Sequence, residues 1–148
     1  MLFKKKHFDP VEEHQIVTHI RQAEKACSGE IRVYVESKVL GGSLEERTIQ
    51  IFKRLKMYRT RERNGVLIYI ALEDRKFAVF GDEGIHQKLG FQFWTQKAAE
   101  LKTTFKQGHV VLGVCAVITE IGQALKTHFP HTESDDDNQL SDAPVYGK

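Results

Sequence analysis

Apolar and polar residues recur with two different periods along the chain, and the changes of period predict the order of its elements. Asp9 and Glu12 have the spacing of a capping box, and apolar residues then return with the spacing of one helix face, which predicts a helix that ends at Gly29. Residues 31–35 then alternate between apolar and polar, as in a strand with one buried face. Ser43 and Glu46 have the spacing of a capping box, so a second helix is predicted to begin there.

The second half of the chain begins with an uninterrupted apolar run. Val66 to Leu72 is typical of a central strand that is buried on both faces. Lys76 to Phe80 follows after the short connection 73–75, which predicts a hairpin. Two further helices are predicted on either side of Gly108, the second ending at Pro130. Parallel strands joined by a helix, with an antiparallel hairpin strand beside them, predict an α/β fold: a three-layer α/β/α sandwich with a small mixed β-sheet.

The length of 148 residues fits one domain, which is large enough to bury about two-thirds of its unfolded surface. Residues 1–130 are predicted to form that domain. Residues 131–148 are polar, acidic and proline-containing, so a flexible C-terminal tail is predicted. In the alternative, Leu140, Val145 and Tyr146 dock on the body of the domain.

The charge and the apolar runs bear on possible partners. A formal net charge of +2 is too small to indicate a nucleic-acid or membrane partner. The basic residues between Lys53 and Arg63 could contact phosphate groups, but cations are also favoured near the end of a helix. The longest apolar run, VVLGVCAVI, is shorter than the ~20 residues that cross a bilayer, and the chain start lacks the apolar core of a secretory signal. We therefore expect a cytoplasmic monomer that binds neither nucleic acid nor membrane.

The two cysteines do not suggest chemistry. Cys27 and Cys115 lie far apart in the sequence and have no metal-binding spacing. Because free cysteine is among the most frequently buried residue types, both are predicted to be small core residues.

Several separated motifs stand out beside these patterns: Asn64-Gly65-Val66-Leu67-Ile68, Asp74-Arg75-Lys76, Gly81-Asp82-Glu83-Gly84-Ile85, and Phe105-Lys106-Gln107-Gly108 with Gly113. Their order and spacing resemble those of the TPM domain family, also called TPM phosphatases, over approximately Asp9 to Pro130. Residues 138–142 resemble the tail of its bacterial stand-alone branch. The resemblance implies an α/β/α sandwich, binding of a divalent cation, first of all calcium, and in some relatives a weak acid phosphatase activity.

The candidate cation site lies where the predicted hairpin returns. The end of its second strand, at Asp82 and Glu83, should lie beside the start of its first, at Glu62 and Asn64. Carboxylate and amide oxygens suit a hard cation such as Ca²⁺, with Mg²⁺ or Mn²⁺ as alternatives. These four residues are the predicted metal ligands. In the alternative interpretation, Asp82 only caps the following helix and Glu62 is solvated.

A competing site lies at the opposite edge of the predicted sheet. It contains Glu36 after the first strand and Glu73 with Asp74 at the hairpin tip. Ligands of open α/β sheets usually bind beyond the carboxyl ends of parallel strands, which favours this edge. Charged hairpin tips, however, are ordinarily solvated turns.

The predicted function follows from the site, because no complete catalytic motif is present. The sequence contains neither a C-x5-R loop nor a D-x-D-x-[TV] run, so no phosphatase nucleophile can be assigned. We therefore expect a cation-binding domain that acts as a binding or assembly module for an unidentified protein partner or phosphorylated ligand. The alternative is weak, metal-assisted hydrolysis of phosphate monoesters.

Overall fold

A computed structural model describes residues 8–131 and 144–147. Its elements in chain order are α1 (Pro10–Lys25), β1 (Glu30–Glu36), α2 (Leu44–Arg54), a 3-10 turn (Met57–Arg59), β2 (Gly65–Ala71), β3 (Lys76–Gly81), α3 (Glu83–Leu89), α4 (Phe91–Lys106), α5 (Val110–His128) and β4 (Val145–Tyr146). The predicted order of helices and strands is confirmed, and α3 and β4 are added to it.

The four strands form one mixed sheet in the order β3-β2-β1-β4. β1 and β2 are parallel, with Glu30 opposite Gly65 and Val33 opposite Ile68. β3 returns antiparallel to β2, with Phe80 opposite Leu67. Every residue of β2 is buried, because strands flank it on both sides and helices cover both of its faces. The predicted central strand is confirmed.

Helices cover both faces of the sheet, so the predicted three-layer sandwich is also confirmed. On one face, Val33 and Ile68 belong to a core with buried residues of α1, α4 and α5. On the other face, Tyr34 and Leu67 pack with Phe52 of α2 and with the 3-10 turn. The second layer is thin, because one helix and one turn supply it.

Both predicted capping boxes form. Asp9 accepts from the backbone N–H of Glu12 at 2.9 Å, and Ser43 accepts from that of Glu46 at 3.1 Å. The predicted end of the first helix at Gly29 is wrong, since α1 ends at Lys25. Gly29 has another role: an added Cβ would lie 2.6 Å from a methyl carbon of Leu125, so the glycine lets α5 approach closely.

α5 is long and apolar enough to cross a membrane by length and composition alone. In the structure it is instead a core helix, because Val114, Ile118, Ile121 and Leu125 are fully buried against the rest of the domain. Core helices of soluble domains can be as long and as apolar as helices that cross a membrane.

Both cysteines are buried, as predicted from the sequence. Burial raises the pKa of the Cys115 thiol to about 11. The thiolate is therefore scarce at neutral pH, and Cys115 behaves as a small apolar residue.

Part of the C-terminal segment docks on the sheet. Val145 and Tyr146 form β4, which lies parallel to β1 with Val145 opposite Tyr34. The Gly147 N–H donates to the Val35 carbonyl at 2.7 Å, and the Tyr146 hydroxyl donates to the Glu13 carboxylate at 2.8 Å. Val145 and Tyr146 thus dock on the domain, as in the alternative that the sequence offered to a flexible tail, because backbone pairing and a half-buried ring hold them. Leu140 and the motif 138–142 lie outside the described residues.

Tyr146→Phe should loosen β4 and lower the free energy of unfolding by about 1 kcal/mol, because it removes the hydroxyl that reaches Glu13. The measurement is chemical denaturation together with hydrogen exchange at the Gly147 amide. Tyr58→Phe is the matched control, since Tyr58 is a surface side chain. Equal exchange rates at Gly147 in the Tyr146→Phe variant and the wild type would contradict this account of β4.

Candidate functional site

The structure brings the two predicted loops to one edge of the sheet. The Asp82 N–H donates to the Gly65 carbonyl at 2.9 Å, which extends the β2–β3 ladder past β3. The Gly84 N–H then donates to the Arg63 carbonyl at 2.8 Å. The loop before β2 and the start of α3 are therefore held against each other by backbone hydrogen bonds.

Asp82 has two kinds of partner at this edge. Its carboxylate accepts from the Glu83 N–H at 2.8 Å and so caps α3. It also accepts from Arg63, from Nε at 2.7 Å and from Nη2 at 2.9 Å. The Asp82 side chain is only 5% exposed. The capping role that the sequence offered as the alternative is present, together with an ion pair to Arg63.

Arg63 supplies a positive charge beside Asp82 and Glu83. Its guanidinium also approaches the Glu83 carboxylate at 3.6 Å, and its side chain is 45% exposed. The hydrogen bonds to Asp82 are the main cause that raises the pKa of Arg63. Its backbone has φ 53°, in the left-handed region that non-glycine residues seldom occupy. The turn thus places the guanidinium over Asp82 at a conformational cost.

Glu62 and Asn64 meet a different residue, Ser28. The Asn64 amide Nδ2 donates to the Ser28 hydroxyl at 3.0 Å, and that hydroxyl donates to the Glu62 carboxylate. The Asn64 backbone N–H donates to the Thr60 hydroxyl at 3.1 Å, and Asn64 is buried. Ser28 was not predicted from the sequence. Its position in the sequence could have indicated it, because residues just before two adjacent parallel strands lie side by side.

The four predicted ligands therefore fall into two clusters. Asp82 and Glu83 surround Arg63, whereas Glu62 and Asn64 are joined by Ser28. Among the residues that the structure describes, no group of three or more His, Cys, Asp or Glu side chains is arranged to hold a metal ion. A divalent cation fits the Asp82 carboxylate only when the guanidinium of Arg63 moves aside, because like charges repel.

Glu36 and Asp74 at the competing edge make hydrogen bonds that stabilise the fold. Glu36 is buried and accepts from Arg47, from Nε at 2.8 Å and from Nη2 at 2.8 Å, and it also accepts from the Tyr69 hydroxyl. Burial, followed by the hydrogen bond to Glu36, raises the pKa of Tyr69. Asp74 accepts from the Val39 N–H at 2.8 Å and so fastens the hairpin tip. Glu36 thus neutralises a buried arginine.

At the same tip, Glu73 is a surface side chain, and its carboxylate lies 4.0 Å from the Lys38 ammonium. A surface ion pair at that distance adds little to stability. Glu73 therefore does not combine with Glu36 and Asp74 into one site.

A mixed four-stranded sheet between helical layers, with the Asp82 turn at one edge, defines a small α/β/α domain of the TPM class. The chain belongs to the TPM domain family, which residues 4–124 match. It is similar to the BA42 protein of the psychrophilic bacterium Bizionia argentinensis, at 36% identity, a TM-score of 0.87, and coverage of 99% of this chain and 100% of that one.

A second similar structure shows the fold alone. The N-terminal domain of the cg2496 protein from Corynebacterium glutamicum superposes with a TM-score of 0.62 at 12% identity, over 95% of this chain and 82% of that one. Among curated proteins, no match to this sequence was found.

Proposed function

We propose that this TPM domain is a binding or assembly module controlled by a divalent cation, calcium in the first place, with Mg²⁺ or Mn²⁺ as alternatives. Asp82 and Glu83, with Glu62 and Asn64 beside them, would hold the ion. The observation that carries the proposal is the Arg63 guanidinium, which already occupies a cation position against Asp82 and Glu83. In this proposal Arg63 holds that position until the metal ion replaces it.

Replacement of the Arg63 guanidinium by a metal ion is physically reasonable because the side chains of Arg63 and Glu83 both reach solvent. Arg63 can turn outward because its side chain is 45% exposed, and the incoming metal ion would supply the positive charge that the buried Asp82 carboxylate needs. Glu83 lies on the first turn of α3 with its carboxylate at the surface, so it can turn toward an ion at Asp82. Calcium accepts six to eight oxygen ligands in flexible geometry, so carboxylates, an amide oxygen and water suit it.

A calcium titration followed by amide NMR shifts tests the proposal. Amides of residues 60–65 and 81–85 should respond together, whereas 36–38 and 73–75 should not. Asp82→Asn should weaken binding by about tenfold or more, because a ligand charge is lost. Arg63→Gln should strengthen binding about two- to fivefold, since the competing guanidinium is gone.

Arg75→Gln is the matched control, because Arg75 has φ 55° in the turn at the other edge of the sheet. It should leave the calcium affinity unchanged. Binding should also raise the free energy of unfolding by ~2.7 kcal/mol at a hundredfold excess over Kd. If Arg63→Gln does not change the affinity and Asp82→Asn lowers only the stability, Asp82 is a helix cap and the proposal is wrong.

Metal-assisted phosphatase activity is the other function that this cation would permit. Turnover of a generic phosphate monoester, abolished both by chelator and by Asp82→Asn, would establish it. We also propose a cytoplasmic, monomeric protein without a nucleic-acid or membrane partner. The buried apolar face of α5 and the small net charge support this part of the proposal.

A further inference from the structure

β3 is an outer strand of the sheet, and the side of β3 that faces away from β2 is an open edge. Asp82 donates to Gly65 across the ladder at 2.9 Å, which fixes which residues face β2. In an antiparallel pair, residues that bond the partner strand alternate with residues whose N–H and C=O point away from it. Phe77, Val79 and Gly81 therefore point these groups outward, where no strand of residues 8–131 and 144–147 pairs with them.

A groove of about 450 Å³ runs along this open edge. Val79, Phe80 and neighbouring residues of β3 line it together with residues of the helices on both faces of the sheet. Ile49 of α2 stands on one side, and Phe91 of α4 stands on the other. Phe91 is 71% exposed, which is unusual for so large an apolar side chain. The edge thus combines unpaired backbone groups with apolar surface on both sides.

The charges of the groove favour a basic occupant. Glu45, Asp82 and Glu83 line it, and none of the described lining residues is lysine or arginine. Arg63 offsets one negative charge of Asp82 and Glu83 from outside the groove, so the net charge of these acidic residues remains negative. The tail of this chain, with Asp135, Asp136 and Asp137 in sequence, carries the same sign and is disfavoured as the occupant.

The shape of the groove favours one strand over a second domain. α2 and α4 stand on opposite sides of β3, so a second copy of the chain would bring its own pair of helices to the same edge. An extended segment meets no such obstacle, because its backbone needs only the width of one added strand, about 4.7–4.9 Å.

We propose that β3 binds an extended peptide by strand addition. The peptide would pair its backbone with Phe77, Val79 and Gly81. Its side chains on one face would contact Ile49, those on the other face would contact Phe91, and a lysine or arginine would approach the acidic residues of the groove. This inference rests on the proposed binding role, since it names the kind of partner, but it does not depend on the cation.

The test uses the full chain in chelator and the synthetic peptide acetyl-KVTVTVTK-amide. Trp94 is the single tryptophan and lines the groove, so its fluorescence reports occupancy. Two isomeric peptides, N-methylated at every valine or at every threonine, supply the decisive comparison. Only alternate N–H groups of an added strand face β3, so one isomer should lose at least about tenfold in affinity and the other should bind like the parent. Equal binding of all three peptides, or binding of none, would overturn the proposal.

Variants locate the binding surface. Phe91→Ser and Ile49→Ser should each weaken peptide binding, while Leu112→Ser, at a 68% exposed position on α5, should not. Glu45→Lys should weaken binding of the basic peptide about two- to fivefold, and Glu73→Lys at the hairpin tip should have no effect. A peptide affinity unchanged by Phe91→Ser, Ile49→Ser and Glu45→Lys would place the peptide elsewhere and sink the proposal.

These measurements test the cation proposal and the peptide proposal separately. Peptide binding in chelator together with an absent calcium response would remove the cation and keep the groove. A normal calcium response without peptide binding would do the opposite. Concentration-dependent dimerisation that Ile49→Ser abolishes, without binding of the peptide, would assign the edge to a second copy and overturn the inference.

Discussion

Replacement of Arg47 by methionine is expected to lower the free energy of unfolding by about 3–5 kcal/mol, enough to threaten folding of a domain this size. Arg47 and Glu36 are 6% and 1% exposed, and two hydrogen bonds of 2.8 Å join them between α2 and β1. Without Arg47, the Glu36 carboxylate stays buried, and within residues 8–131 and 144–147 the Tyr69 hydroxyl is the side-chain hydrogen-bond partner that it keeps. A buried charge that has lost its counter-ion keeps its desolvation cost without the compensating attraction.

Chemical denaturation of three variants separates this explanation from a simple loss of packing. Arg54→Met on the same helix removes a surface charge and should change the stability by no more than about 0.5 kcal/mol. The double variant Glu36→Met with Arg47→Met removes both charges and should recover most of the loss. If the double variant is as unstable as Arg47→Met alone, the buried charge is not the cause.

Gly84→Ala is expected to destabilise the domain by about 3 kcal/mol, although alanine ordinarily favours helices over glycine. An added Cβ would lie 2.1 Å from the Glu62 carbonyl oxygen and 2.7 Å from that of Arg63. Both are backbone atoms, so the loop before β2 must move away from α3. That movement would also break the 2.8 Å hydrogen bond from the Gly84 N–H to Arg63.

The control for Gly84→Ala is Gln87→Ala, an exposed position in the same helix, which should be close to neutral. Denaturation midpoints give the stability, and amide shifts of residues 62–65 report the displaced loop. A Gly84→Ala variant as stable as wild type would show that the loop yields easily, and it would weaken the case for a rigid site at this edge.

The sequence predicted the position of the candidate site but not the side-chain partners found there. The hairpin placed Asp82 near Asn64 by chain reversal, and the backbone bonds between these loops agree with that expectation. The partners were not predictable, because Arg63 was one of several basic residues in its segment and Ser28 lies far away in sequence. The choice of partner depends on the turn conformation at Arg63 and on the side-by-side starts of β1 and β2.

Local chemistry was enough for most of the elements and for their order. The caps at Asp9 and Ser43, the alternation in β1 and the apolar run of β2 all depend on residues a few positions apart, so they can be recognised in the chain alone. The docking of β4, the Glu36–Arg47 pair and the groove beside β3 join segments that are distant in sequence. Such contacts form only after strand register and layer packing have fixed which side chains meet, and no local pattern encodes that choice.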